Sequence, residues 1–119
     1  MAPRLIADVA AIGVSLLCIV HCLATPVLLA LAPWLVPGLF EDERFHMIAV
    51  LVALPVSAVA LAGTLRARPE IVAGAAGGLA LLLVATSLHD AWMETSMTVS
   101  GAILVVFAHV RNLQLRAHA

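Results

Sequence analysis

The chain has no lysine, and its six arginines face seven acids for a net charge of −1. No basic run accompanies the arginines, which excludes nucleic acid as a natural partner. It has two cysteines, Cys18 and Cys22, too few for the disulfide framework of a small secreted protein. At i and i+4 of one regular helix the two also have poor geometry for a bridge to each other. Both are therefore read as free thiols when no metal is bound. Enzyme signatures are missing too. There is no glycine-rich phosphate loop, no Ser-His-Asp order and no His-Glu-x-x-His helix, and three residues separate the cysteines where a redox motif has two. The chain is read as a non-enzyme with no permanently bound cofactor. No polar stretch is long enough for a soluble domain or a linker. What the chain does have is apolar surface. Hydrophobic residues make up 64% of it, with mean hydropathy +1.14, where a soluble domain holds about 45–50%. This is the composition of an integral membrane protein.

A helix needs about 20 apolar residues to cross a bilayer. The expected architecture is an all-α bundle of four transmembrane helices forming one membrane domain over residues 1–119. The expected spans cover about 5–32, 45–65, 70–89 and 97–115. The first run is far longer than a signal peptide's apolar region and contains Asp8, and Leu17 is too large to precede a lipidated cysteine, so this span is expected to be retained. Pro26 should kink it and free the Cys22 carbonyl, and Pro55 should kink the second span. Pro33, Pro37 and Gly38 end the first span. Glu41, Asp42, Glu43 and Arg44 then form a polar loop flanked by the interfacial aromatics Trp34, Phe40 and Phe45. Arg66, Arg68 and Pro69 make a tight basic turn. Gly74 and Gly78 form a Gly-x-x-x-Gly pair, a site of close helix approach within the chain or in a homo-oligomer.

Arginine placement sets the orientation. Arg4, Arg66, Arg68, Arg111 and Arg116 fall on one side of the four-span arrangement and only Arg44 on the other, so both termini are expected in the cytoplasm. The outer loops, facing the periplasm across a Gram-negative inner membrane, then carry Glu41, Asp42, Glu43, His46, His89, Asp90 and Glu94.

The chemistry concentrates in the first span. On a helix, Cys18, His21, Cys22 and Thr25 share one face. Two thiols and an imidazole are soft ligands suited to Hg(II), Cu(I) or Zn(II), and polar groups in hydrocarbon are functional candidates by default. His46, His89 and Glu94 sit at outer helix ends, where they either gather a cation or serve as ordinary interfacial groups. His109 in the fourth span is placed at a depth similar to that of His21. It either joins one polar site with the cysteines or hydrogen-bonds across helices with Asn112 on its face. Asp8 and Ser15 continue the cysteine face toward the cytoplasm as a candidate exit route.

These residues resemble the MerC family of bacterial mercury-resistance membrane proteins. The resemblance covers nearly the whole chain. It rests on Leu17-Cys18-Ile19-Val20-His21-Cys22 with Thr25-Pro26, on Phe45-His46 and Leu54-Pro55, on His89 and Glu94, and on the stretch Gly101 to Asn112 with Ala108-His109. The Cys-x-x-His-Cys-x-x-x-Pro pattern and His109 are its specific parts. The resemblance implies a four-helix inner-membrane protein that carries mercuric ion toward a cytoplasmic reductase, with Cys18 and Cys22 as the Hg(II) ligands. Mercury-operon members carry adjacent first-span cysteines and further thiols toward the cytoplasmic end. Here the cysteines are separated, a histidine is added, and no cysteine follows Cys22, which widens the cargo to Zn(II) or another borderline metal.

Three functions follow as expectations. The first is a metal-ion uptake or binding protein whose metal residues are Cys18, Cys22, His21, His109, His46, His89 and Glu94. The second is a non-transporting accessory subunit packing through Gly74 and Gly78. The third is a thiol redox or haem-linked protein with His21 and His109 as axial ligands.

Overall fold

A computed structural model describes residues 2–34 and 43–118, without the side chain of Glu43. Pro37, Gly38, Phe40, Glu41 and Asp42, expected in the first outer loop, lie outside the described residues. The described residues form four helices and no strand: α1 (Ala2–Leu31), α2 (Glu43–Leu61), α3 (Pro69–Ala85) and α4 (Ala91–Ala117). The bundle measures 50 × 23 × 19 Å. Helices α1, α2 and α4 are long and apolar enough to cross a membrane, and α3 is a shorter apolar helix of 17 residues. At 1.5 Å per residue α3 reaches about 26 Å, close to the hydrocarbon thickness.

The distribution of side chains inverts that of a soluble protein. The largest fully buried side chains include His109, Asn112, Thr98 and Asp8, while Leu5, Ile6, Leu17, Val20, Leu51 and Phe107 are exposed. Large apolar groups outside and small or polar groups inside is the pattern expected of helices solvated by lipid, which pack through small residues and interhelical hydrogen bonds. Alanine and glycine do most of the close packing. Ala7, Ala60, Leu61, Ile71, Ala75 and Ala108 form one core cluster, and Val50, Leu82, Ala102 and Val105 form another.

Each helix packs on its two neighbours, in the cycle α1, α2, α3, α4 and back to α1. The tightest approach is between α3 and α4. A Cβ added at Gly78 would lie 2.7 Å from the Gly101 carbonyl oxygen, and one added at Gly101 would lie 2.7 Å from that of Gly78. Gly78 of the Gly-x-x-x-Gly pair is thus used within the chain. Gly74 has only the Ala108 Cβ near it, at 4.0 Å.

Helix ends differ from the expected ones where local hydrogen bonding outweighs hydropathy. Helix α4 begins at Ala91, six residues before the expected 97, because the Asp90 side chain accepts from the Met93 backbone N–H at 2.9 Å and caps the helix. Helix α3 ends at Ala85, where the Thr86 and Ser87 hydroxyls each donate at 2.7 Å to the carbonyls of Leu83 and Val84. Helix α2 ends at Leu61 and gives way to turns held by Thr64, whose carbonyl accepts from the N–H groups of Ala67 and Arg68. Helix α1 runs through Pro26, and Thr25 donates to the His21 carbonyl at 2.7 Å, one residue from the Cys22 carbonyl that the proline leaves without a helical donor.

Candidate metal centre

The inward face of α1 is a single line of buried residues: Ala7, Asp8, Ala11, Ser15, Cys18 and Cys22. Their spacing of three and four residues keeps them on one side of the rod. Both thiols therefore point into the bundle, Cys18 at 3% and Cys22 at 6% exposure.

The end of that line meets the start of α2. Cys22 Sγ lies 3.0 Å from His46 Nε2. Ligand atoms of His21, Cys22 and His46 all fall within 4.8 Å of one another. Donor atoms around a tetrahedral Zn(II) sit about 3.6 Å apart, given metal–ligand bonds of about 2.0–2.3 Å. The group therefore has to contract by only about 1 Å to close on an ion. The His21 ring stacks on Phe45, with centroids 4.1 Å apart and planes at 20°, and meets the His46 ring edge-on at 5.1 Å. Phe45 thus fixes the orientation of one imidazole. The other is oriented by Glu94, whose Oε1 lies 3.5 Å from His46 Nδ1. A carboxylate on one ring nitrogen favours a proton there and leaves Nε2 as the basic atom facing the thiol, the arrangement common behind metal-binding histidines. Thr98, buried in α4, lies beside Cys22. Cys18 sits one turn further in along the same face.

His109 is not brought to this group. Its Nδ1 donates to Asp8 Oδ1 at 2.6 Å, and the Ser57 hydroxyl lies 3.0 Å from its Nε2. Asp8 is fourteen residues from Cys22, roughly 21 Å along α1. The expectation that His21 and His109 share one level fails because α4 starts earlier than its apolar run, which carries His109 deeper. His89 is exposed, just before the cap of α4, and is also outside the group.

His109 instead belongs to a second polar group near the other end of the bundle. The Asn112 side-chain amide donates to both Asp8 carboxylate oxygens at 3.0 and 2.9 Å, and the Thr64 hydroxyl donates to Asn112 Oδ1 at 2.6 Å. Arg116 lies 3.7 Å from Asp8 and donates to the Ala60 carbonyl at 2.5 Å, near the C-terminal end of α2. Asp8, Ser57, Thr64, His109 and Asn112 are all buried. Sequence reasoning missed Ser57, Thr64 and Arg116 as members. The available signal was periodic: Ser57 of α2 and Thr64 of the turn after it are seven apart, and His109, Asn112 and Arg116 repeat at three and four in α4. Between the two groups, Ser15 Oγ is buried without a hydrogen-bond partner among the described residues.

The family model of the MerC mercury resistance protein matches residues 8–114, which hold every residue of both polar groups except Arg116. Comparison with curated proteins and with solved structures finds no match. An all-helical apolar bundle, an inward Cys/His group and a family match over most of its length together make this chain a member of the MerC family of mercury-resistance membrane proteins.

Proposed function

We propose that the protein takes up Hg(II) across the bacterial inner membrane, capturing it at the outer ends of α1 and α2 and passing it inward. The observation that carries this reading is the grouping of His21, Cys22 and His46 within 4.8 Å, with Cys18 buried directly below. The arginine bias supports an orientation with this group on the periplasmic side and the Asp8 group on the cytoplasmic side.

Mercuric ion prefers two thiolates in line, and soft sulfur ligands select it over harder oxygen donors. Capture at Cys22 replaces the S–H bond by an S–Hg bond. The thiol proton passes to His46 Nε2, 3.0 Å away, and the resulting imidazolium is held by Glu94 at 3.5 Å. Cys18, one turn inward, then supplies the second sulfur; each new S–Hg bond displaces an anionic ligand such as chloride from the ion, and the Cys18 proton leaves with that anion. Two thiolates without a closed cage leave the ion open to a competing thiol, so transfer proceeds by ligand exchange. Ser15 and Asp8 extend the same face toward the cytoplasm.

A second reading has a specific observation behind it. Two imidazoles flank Cys22, and a His-Cys-His set suits Zn(II), which takes four ligands and uses nitrogen readily. In this case His46 is a ligand and not the proton acceptor. The accessory-subunit reading is weakened because Gly78 is occupied by α4 of its own chain.

The test is metal uptake by cells and elemental analysis of purified protein, for wild type and for Cys18→Ser plus Cys22→Ser. Loss of Hg(II) uptake and of bound mercury supports the thiol role, and uptake equal to wild type overturns it. Retention of Zn(II) but not Hg(II) selects the second reading.

A further inference from the structure

Helices α3 and α4 touch at Gly78 and Gly101 and separate toward the arginine-rich end. One turn along, at Gly74, the nearest atom to an added Cβ is the Ala108 Cβ at 4.0 Å. The wedge left between the helices is a cavity of about 560 Å³, lined by Ile71, Gly74, Leu104, Phe107 and Ala108 below and by Arg68 and Arg111 at its mouth. Such a volume is within the range of about 300–1,000 Å³ that holds a small ligand.

The lining divides sharply by chemistry. Gly74 and Ala108 make a flat floor without projecting side chains, and Leu104 and Phe107 are exposed at 40% and 64%. This part faces the hydrocarbon. On the orientation expected from the arginine bias, Arg68 and Arg111 lie toward the cytoplasmic headgroups. Glu70 lines the mouth as well and pairs with Arg68 at 3.6 Å, but both side chains are more than half exposed. An exposed pair of this kind holds weakly, so the guanidinium is available to a stronger acceptor. Two arginines and one glutamate leave the mouth with one net positive charge.

We propose that this wedge binds one anionic phospholipid of the inner leaflet, its headgroup phosphate on Arg68 and Arg111 and an acyl chain on the Gly74–Ala108 floor. Charge complementarity selects the occupant. A phosphate monoanion neutralises the mouth, guanidinium groups match phosphate in geometry, and basic pockets between membrane helices on the cytoplasmic side suit anionic headgroups. The same face of a second copy would bring the same net positive charge and leave the mouth unneutralised. The site lies at the opposite end of the bundle from Cys22 and His46 and does not depend on the metal reading.

The experiment is native mass spectrometry of the full chain released from detergent, with phosphatidylglycerol, phosphatidylcholine of the same acyl chains, or inorganic phosphate. The expected result is one retained phosphatidylglycerol and no retained phosphatidylcholine or inorganic phosphate. Affinity should fall about 5-fold for Arg68→Gln or Arg111→Gln and roughly 30-fold for both. Gly74→Leu, which fills the floor, should also reduce retention. The thermal unfolding midpoint in detergent checks that each variant is folded, so loss of lipid with an unchanged midpoint identifies the groove. Equal retention of the two lipids, wild-type retention by the double arginine variant, displacement by inorganic phosphate alone, or a lipid-free dimer abolished by Gly74→Leu would each overturn the proposal.

Discussion

The polar group around Cys22 and the one around Asp8 lie in the same apolar bundle and share one face of α1, yet they differ in how their polar atoms are used. Around Asp8 the partners are hard donors and acceptors arranged to satisfy one another. Both carboxylate oxygens, both imidazole nitrogens of His109, and both the amide nitrogen and oxygen of Asn112 have partners within 3.0 Å. Around Cys22 the donors are soft, and the rings are held partly by stacking and by a longer carboxylate contact. A saturated network joins helices; a convergent set of soft donors is suited to receive something. The difference supports the proposal that Asp8 and His109 hold α1, α2 and α4 in register while the Cys22 group receives the ion.

The largest expected effect is on that second role. Cys22→Ser should reduce Hg(II) uptake to the background of cells lacking the protein while leaving the thermal unfolding midpoint unchanged, measured on the same membranes. Asp8→Ala should do the reverse. It leaves His109 and Asn112 without their acceptor, and it should cost about 2–4 kcal/mol of stability, the lower end following from modest interhelical hydrogen bonds in lipid and the upper from a broken buried charge pair. Denaturant unfolding in detergent measures it, and a stability loss under 1 kcal/mol would contradict the assignment. Gly78→Leu forces a side chain into the Gly101 carbonyl and Val105; overpacking should cost about 1–3 kcal/mol, whereas Gly74→Ala should be near neutral. A smaller change sharpens the comparison from the metal side. Glu94→Gln should weaken metal affinity by roughly 10-fold through the orientation of His46, read by competition titration with a chelator. Asp90→Ala should remove the cap of α4 and cost about 1 kcal/mol, with little effect on metal affinity.

Much of this was legible in the sequence, and the parts that were not share a cause. Composition and run length were enough for four apolar helices because lipid imposes a length on every span. The inward direction of Cys18 and Cys22 followed from helical spacing, and so did their alignment with Ser15 and Asp8. Depth was not legible. Hydropathy set the start of the fourth span at Met97, but a helix starts where its N–H groups find an acceptor, and Asp90 supplies one. That shift separates His109 from His21 and divides one expected site into two. Pairings between helices were hidden for a related reason. Which residue of α2 faces Cys22 depends on the register of two rods, and the sequence offered His46 as a cation-gathering or interfacial residue without pairing it to Cys22. Ser57 and Thr64 gain their meaning only from Asn112 and His109 facing them across the bundle.

The narrow stripe on the first helix has a consequence for how the protein tolerates change. Each added residue turns the rod above it by about 100°. A single alanine inserted between Ser15 and Cys18 would keep every chemical group in the chain and the lower network intact, yet swing both sulfurs away from the second helix. Deletions and insertions there should be as damaging as losing the sulfurs themselves, while the lipid-facing side of the same turn should accept almost any apolar substitution.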